Sequence, residues 1–418
     1  MKLITLIIGI TLLSFNSISQ SDSITMGTSY TNQVFYSLKN GTVKTIDNNN
    51  WDLAFSAQFR GAAGSSILIN EANVTLWAAP HDTSAWATFD TVGISSWERR
   101  LNSDTTWTNG AFNRYRGGVS ALDMGWGVLQ PSNNFWTFGD SIYVAKLSNG
   151  AYKKIWIISL KSGAWKFKYA NINGTNEKII NFTKSSYPNR NFIYHSMLND
   201  TTINREPVDS TWEITFAKHI DFVNPPGMYV NVTSVFNNVN VWSAKANGHS
   251  LAGAMALTSP QTNYNQNVTN IGREWKKFKS ATGWKVKDSL AYFIYDYDST
   301  DFYRIVFTKF GGSSTGKAFF NIQKIGTASV IENDFKTTIS LYPNPATNYV
   351  TLLIDYPNKE KVTISICNIT GQLVEQKEME LLAGINQKSM NLSNLNPGIY
   401  TVLVHNTKFN YSKKLVIR

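Results

Sequence analysis

Cysteine is almost absent from this chain of 418 residues. Cys367 is the single thiol, so no internal disulfide can form and stability must come from packing alone. Charged residues are also sparse, at 16% of the total, and only 11 residues are proline. After Leu13 no apolar run approaches the length needed to cross a bilayer as a helix. No His-Glu-x-x-His, Cys-x-x-Cys or Gly-x-Ser-x-Gly stands in a supporting context, so nothing points to zinc, dithiol or serine-nucleophile chemistry. The expectation is therefore a protein that is not an enzyme, with no catalytic residue and no metal site.

What the chain does have is aromatic density: 13 Trp, 19 Tyr and 23 Phe, spaced by Asn, Ser and Thr. That mixture suits strands and their turns, and it predicts an all-β fold. The formal charge is +11, but lysine and arginine are scattered singly or in pairs. No nucleic-acid-binding motif accompanies them. The excess reads as solubility, or as a diffuse positive surface facing an anionic outer membrane or polysaccharide. At the amino end Met1-Lys2, the apolar run Leu3 to Leu13 and Ser17-Ile-Ser19 read as a signal peptide over residues 1–19.

At the other end Leu341-Tyr-Pro-Asn-Pro-Ala-Thr-Asn348 is followed by the alternating runs Val350–Ile354 and Val362–Ile366. A turn at Asn368-Ile-Thr-Gly371, then Asn396-Pro-Gly-Ile-Tyr400 and the basic-apolar Lys413-Lys-Leu-Val-Ile-Arg418 complete the tail. Period-two alternation with these breaks predicts a small Ig-like β-sandwich. The motifs resemble the type A C-terminal sorting domain of the type IX secretion system of Bacteroidetes-type bacteria. The resemblance implies a secreted or cell-surface protein at the outer-membrane exterior, handled by that secretion machinery. Its sorting signal would include Pro343, Asn344, Pro345, Gly398, Lys413 and Lys414.

Between leader and tail the chain repeats itself. Val34-Phe-Tyr-Ser-Leu-Lys-Asn-Gly41, Asn50-Trp-Asp-Leu-Ala-Phe55, Gly139-Asp-Ser-Ile-Tyr-Val144 and Ala151-Tyr-Lys-Lys-Ile155 form a first pass, closed by Ala164-Trp-Lys-Phe-Lys-Tyr169. Thr211-Trp-Glu-Ile-Thr-Phe216, Asn238-Val-Asn-Val-Trp242, Lys287–Ile294, Phe302-Tyr-Arg-Ile305 and Ala318–Ile322 form a second. Alternation predicts that Trp51, Leu53 and Phe55 share one sheet face, as do Trp212, Ile214 and Phe216. The intervening acid would turn away, toward a basic residue on a neighbouring strand. These motifs, with Asn204-Arg-Glu-Pro207, resemble the all-β, exported HmuY-like family, whose founding member scavenges haem. The expected domains are a first HmuY-like copy over 20–185, a second over 186–325, a linker over 326–340 and the sorting domain over 341–418.

The resemblance implies no required cofactor but makes haem the first named ligand. Candidate axial donors are His81, which follows Pro80 at a strand end, and the pair His195-Ser-Met197, which would have to sit in a loop to serve one iron. The competing ligand is carbohydrate or another host-surface component, stacked on Trp86, Trp97, Trp107 and Trp126 in the tryptophan-rich middle of the first pass and rimmed by Asn113, Arg114, Arg116 and Asp123. Filling of a β-protein core is the plainer reading of those indoles. A purely structural or adhesive surface protein is the third class. Two motifs read as decoys. Gly311–Lys317 has phosphate-loop spacing, but Ala318 follows where Ser or Thr is needed, so a hairpin loop is expected. Asp296, Asp298 and Asp301 lack the glycine and distal glutamate of a helix-loop-helix calcium site and read as a turn.

Overall fold

The computed structural model describes residues 19–58, 61–223, 227–327, 338–356, 359–369, 372–382, 384–406 and 410–418. The proposed leader except Ser19, and most of the proposed linker, lie outside these. The fold is all-β, with one short α-helix, Leu251–Ala256, and several 3-10 turns among the described residues. The described chain divides into two compact units, 19–48 with 210–327 and 49–209 with 338–418.

The first unit contains two main antiparallel sheets and a separate two-stranded hairpin. One runs, in spatial order, Met228–Asn237, Ile214–Val223, Asn32–Ser37, Gly41–Asp47; the other runs Gln20–Thr25, Lys317–Thr327, Asp301–Phe310, Leu290–Tyr295, Ser243–Asn247. Their facing side chains, among them Val34, Tyr36, Ile214, Phe216, Tyr292, Ile305 and Phe320, form one buried cluster. Residues 49–209 repeat this plan. Ile67–Ile69, Leu53–Ser56, Phe192–Ser196 and Thr201–Ile203 make the smaller sheet. Lys178–Thr183, Ala164–Asn171, Tyr152–Lys161, Ser141–Lys146 and Thr75–Asp82 make the larger, with Arg99–Arg100 added at its edge and Trp136–Gly139, itself paired with Gly127–Gln130, joined to Tyr152–Lys161. Leu53, Phe55, Tyr143, Ile155, Trp165 and Phe167 lie in the core between them. The two strand orders match one for one, and so do registers: Ile214 pairs with Tyr36 as Leu53 pairs with His195, and Ile305 pairs with Tyr292 as Ile155 pairs with Tyr143.

This matching corrects the expected boundary at 185/186. Residues 20–47, assigned by sequence to the first copy, pair with strands of the second pass: Gln20–Thr25 with Lys317–Thr327, and Asn32–Ser37 with Ile214–Val223. Conversely Phe192–Ser196 of the second pass pairs with Leu53–Ser56 of the first. The physical reason is chain length. If a leading hairpin paired with its own pass, its second strand and the following Trp-motif strand would run parallel in one sheet. Parallel strands need a crossover of a dozen or more residues. Only the five residues 48–52 separate Gly41–Asp47 from Leu53–Ser56. Exchanging the leading hairpins removes the crossover.

The Trp motifs also differ from expectation. The strand begins at Leu53, after the tryptophan. Trp51 therefore packs with Ala54, Leu68, Phe192 and Tyr194, away from the cluster that holds Leu53 and Phe55. Trp212 likewise meets Phe35 edge-on at 4.9 Å, as Trp51 meets Tyr194 at 5.0 Å, while Ile214 and Phe216 face the core. Among the described residues the acids find no basic partner in either motif. Asp52 accepts from Ser196 Oγ at 3.2 Å and the Leu198 amide at 3.0 Å; Glu213 accepts from the Leu38 amide at 2.7 Å. Each buried carboxylate thus holds the end of the exchanged strand beside it, where it satisfies main-chain donors that burial would otherwise leave unpaired.

Residues 338–418 form a separate sandwich whose named strands pair only among themselves. Thr338–Tyr342, Tyr349–Tyr356 and Gly384–Asn391 face Leu373–Leu381, Glu360–Asn368, Gly398–His405 and Asn410–Ile417 across a core of Val350, Leu352, Ile364, Val402, Val404 and Leu415. The alternation read from sequence accounts for this core. The Pro-Asn-Pro opening clamps the last strand. Asn344 donates to the Lys414 carbonyl at 2.8 Å and accepts from the Val416 amide at 2.9 Å. Lys413 and Lys414 are left exposed along that sheet edge.

Candidate functional site

The candidate haem donors are divided between two faces of the larger sheet of residues 49–209. His195 is 1% exposed in Phe192–Ser196. Its Nδ1 is 3.0 Å from Thr202 Oγ1, its Nε2 is 3.4 Å from Tyr169 Oη, and its ring packs edge-on to Phe167. Burial disfavours the imidazolium and pulls the pKa down to about 4. Met197 is buried in the same core at the start of the turn after the strand, so the pair does not share the loop that joint iron ligation was expected to need. His81 is exposed at the end of Thr75–Asp82, its ring edge-on to Phe89. Phe89 packs with Ile142 and Val144, while Tyr143 and Ala145 face the intersheet core. Alternation therefore sets the surroundings of His81 and of His195 on opposite faces of the larger sheet.

The tryptophan candidates divide. Trp126 is fully buried and donates from Nε1 to the Ser65 carbonyl at 2.9 Å. Trp86 is 9% exposed; its Nε1 donates to Glu177 at 2.7 Å and the Lys168 ammonium lies 4.3 Å from its ring centroid. These two are core. Trp97 and Trp107 are half-buried, against Phe89 and Phe192. Of the expected polar rim, Asn113 is fully buried, accepting from the Ile67 amide and donating to the Ser65 and Met124 carbonyls. Asp123 accepts from the Gly125 amide, Arg116 is half-buried and Arg114 exposed. Both decoys are turns. Gly311–Lys317 joins two paired strands, and Asp296 accepts from the Thr300 and Asp301 amides. Among the described residues no group of acidic, histidine or cysteine side chains has the arrangement of a metal site.

A cleft elsewhere has the features the tryptophan-rich loops were expected to supply. It is an open depression of about 500 Å³ where Tyr152–Lys161 ends, the hairpin Ala164–Asn171/Lys178–Thr183 begins and the 3-10 turn Lys184–Ser186 follows. Apolar surface comes from the half-buried Phe182 and Tyr187, with the buried Trp165 behind them, and polar groups from Ser159, Asn181, Thr183 and Ser186, with Lys161 and Lys166. Hydrogen bonds tie the cleft's framework to the body of the unit. Trp165 Nε1 donates to the Ser56 carbonyl at 3.0 Å, and Lys184 Nζ to the Gly64 carbonyl at 2.7 Å. Thr183 and Ser186 hydroxyls are 2.8 Å apart. The Lys161 ammonium sits 4.6 Å from the Phe138 ring centroid and 5.1 Å from that of Trp136. Burial raises the Tyr187 phenol pKa, so it stays a neutral donor and acceptor. Among the described residues, no histidine, methionine or cysteine lines the cleft. In the sequence Ala164–Tyr169 reads only as a closing strand. The residues that complete the cleft, Asn181 to Tyr187, carry no motif, and only hairpin pairing brings them into place.

Comparison with known proteins identifies the tail. Residues 340–418 match the secretion system C-terminal sorting domain family. The protein is therefore a cargo of the type IX secretion machinery, secreted or displayed at the cell surface of a Bacteroidetes-type bacterium. Among the described residues no helix is long and apolar enough to cross a membrane. Among solved structures, dimeric latent PorU from Porphyromonas gingivalis is similar at 10% identity and a TM-score of 0.19, covering 93% of this chain and 34% of that one. The chain thus spans about a third of that protein's length. No curated protein matches the chain.

Proposed function

We propose that the exported protein is a non-enzymatic carbohydrate-binding protein whose ligand lies in the cleft between Lys161 and Tyr187. The observation that carries this reading is the composition of that cleft. An open site of about 500 Å³ joins the half-buried rings of Phe182 and Tyr187 to hydroxyl and amide groups and two lysines, and this suits a hydroxyl-rich ligand with apolar ring faces. A surface-exposed cargo meets polysaccharide, which agrees with the reading. Haem, implied by the HmuY-like resemblance of the repeat motifs, is the second reading. It is favoured by one observation, the exposure of His81 beside Phe89, to which the half-buried Trp97 also packs.

Calorimetric titration of the mature chain with neutral polysaccharide fragments separates the two. The cleft reading predicts saturable binding that weakens about tenfold in Tyr187→Ala or Asn181→Ala, each removing roughly 1.4 kcal/mol, while hemin leaves the visible spectrum unchanged. A Soret band sensitive to His81→Ala, with no response to any glycan, would replace this reading with the second.

A further inference from the structure

The first unit carries a small hairpin, Lys276–Lys279 paired with Gly283–Val286, that the repeat does not need and that stands outside both of the unit's main sheets. Its two faces differ sharply. Phe278 is opposite Trp284, with ring centroids 5.4 Å apart, and Trp284 packs edge-on to Phe310 at 5.1 Å. The indole also lies directly over the Gly311-Gly312 turn. A Cβ at Gly312, whose φ is +65°, would come within 2.8 Å of Trp284 Cδ1, so glycine is required there for the ring to lie flat. Below this, Lys276 is buried against Trp275, Trp284 and Phe310 and donates from Nζ to the Thr233 carbonyl at 2.6 Å. The hairpin is thereby fixed to the body of the unit.

Alternation places Lys277, Lys279 and Lys285 on the opposite face, all exposed, with Lys287 exposed two residues further on. Lys277 and Lys285 are direct cross-strand partners. Like charges at that position oppose pairing, and no acid is placed among them to relieve it. The neighbouring Glu274 is taken by Lys245 at 3.2 Å, and Asp288 lies beyond Lys287 at the far end of the strip. A pinned hairpin that holds unrelieved positive charge outward is complementary to a chain of negative charges. Lysines two apart on a strand are roughly 7 Å apart and neighbouring strands are about 4.8 Å apart, so the charges form a fixed grid.

We propose that this lysine face is a docking strip for an acidic polysaccharide, one whose sugars carry carboxylate or sulfate groups. It is a second site, independent of the cleft. The geometry separates this partner from others. An anionic bilayer would take lysines and exposed aromatics on one side, but here Phe278 and Trp284 point away from the lysines. A single-stranded nucleic acid takes stacking rings beside its basic groove, and the lysine face has none. A polyanion whose charges are borne on sugar rings needs only the ammonium grid. The scattered lysines of the sequence become a strip only through the cross-strand register.

The test uses the full mature chain with heparin and polygalacturonate as probes, and with duplex DNA and phosphatidylglycerol vesicles as competitors. Both polysaccharides should bind in a salt-sensitive manner. Joint Lys277→Gln, Lys279→Gln and Lys285→Gln replacement should weaken binding at least about tenfold without lowering the melting temperature, since a repulsion is removed. The corresponding three arginine replacements should retain binding, and Tyr187→Ala should leave it unchanged. A control with Lys39, Lys309 and Lys317 each changed to Gln loses the same charge elsewhere on the unit and should bind nearly as the parent does. Equal loss in the control would reduce the effect to bulk charge and overturn the proposal. So would unchanged affinity in the hairpin variant, or tighter binding of DNA or vesicles than of either polysaccharide.

Discussion

Single residues in this protein do much of their work as hidden connectors. Asp52 and Glu213 hold exchanged strands, and Lys154 and Arg304, at matching positions in the two passes, donate to the carbonyls of Trp86 and Leu257. Arg205 and Glu206, which in the sequence stand out only within a family-like motif, are both buried: Arg205 stacks over Trp51 and Tyr194, and Glu206 accepts from the Phe192 amide. Burial pushes the Glu206 pKa up to about 7 and pulls that of His195 down to about 4. The two act in opposite senses. Glu206 contributes stability below its unfolded pKa near 4.5 that is lost as pH rises through 7. His195 contributes stability above its unfolded pKa near 6.5 that is lost as pH falls through 4. Between about pH 4.5 and 6.5 their slopes offset, each amounting to some 3 kcal/mol over its whole range. Glu206→Gln should expose the histidine slope. Denaturant unfolding followed by tryptophan fluorescence should then show stability rising more steeply between about pH 4.5 and 6.5 in the variant than in the parent. A variant with the parent's slope would contradict this pairing of roles.

At the scale of elements, the exchange of leading hairpins organises the fold. Ile24, Met26, Val34, Tyr36 and Leu38 from residues 20–48 are all buried in the first unit's core. At about 1.5–3 kcal/mol for each buried side chain, their loss would match the whole stability of an ordinary domain. Removing residues 20–47 should therefore leave 210–327 unfolded and 49–209 folded, as read by amide exchange. Adding the 20–48 peptide should restore protection in strands Ile214–Val223 and Lys317–Thr327. Retained protection without the peptide would contradict the exchange. The strands themselves were legible, since period-two alternation and Asn-Gly or Asn-Pro-Gly breaks mark them. Their partners were not. Val34–Tyr36 and Ile193–His195 look alike, and the one local clue to which hairpin goes where is the five-residue link 48–52, too short for a parallel crossover. The turn of Trp51 out of the core was equally hidden, because alternation fixes a face only once the strand has begun. The cleft escaped notice for a related reason: Ser159, Asn181 and Tyr187 are ordinary residues that only the hairpin geometry collects.

For the whole molecule, the sorting sandwich sets the location and the two units carry the surfaces. The tail was legible end to end because its signals are local. The ligand was less so, because the donors and indoles that looked most chemical, His195, Met197, Trp86 and Trp126, are the ones the core consumes. What remains outward is an aromatic and hydroxyl-lined cleft in one unit and a lysine strip in the other. Amide hydrogen exchange on the mature chain, with a neutral and then an acidic polysaccharide, tests this division most directly. The neutral ligand should slow exchange only in residues 159–187, and the acidic one only in 276–287. Protection centred on Trp97 and Trp107, or no protection in either segment with any glycan, would contradict it.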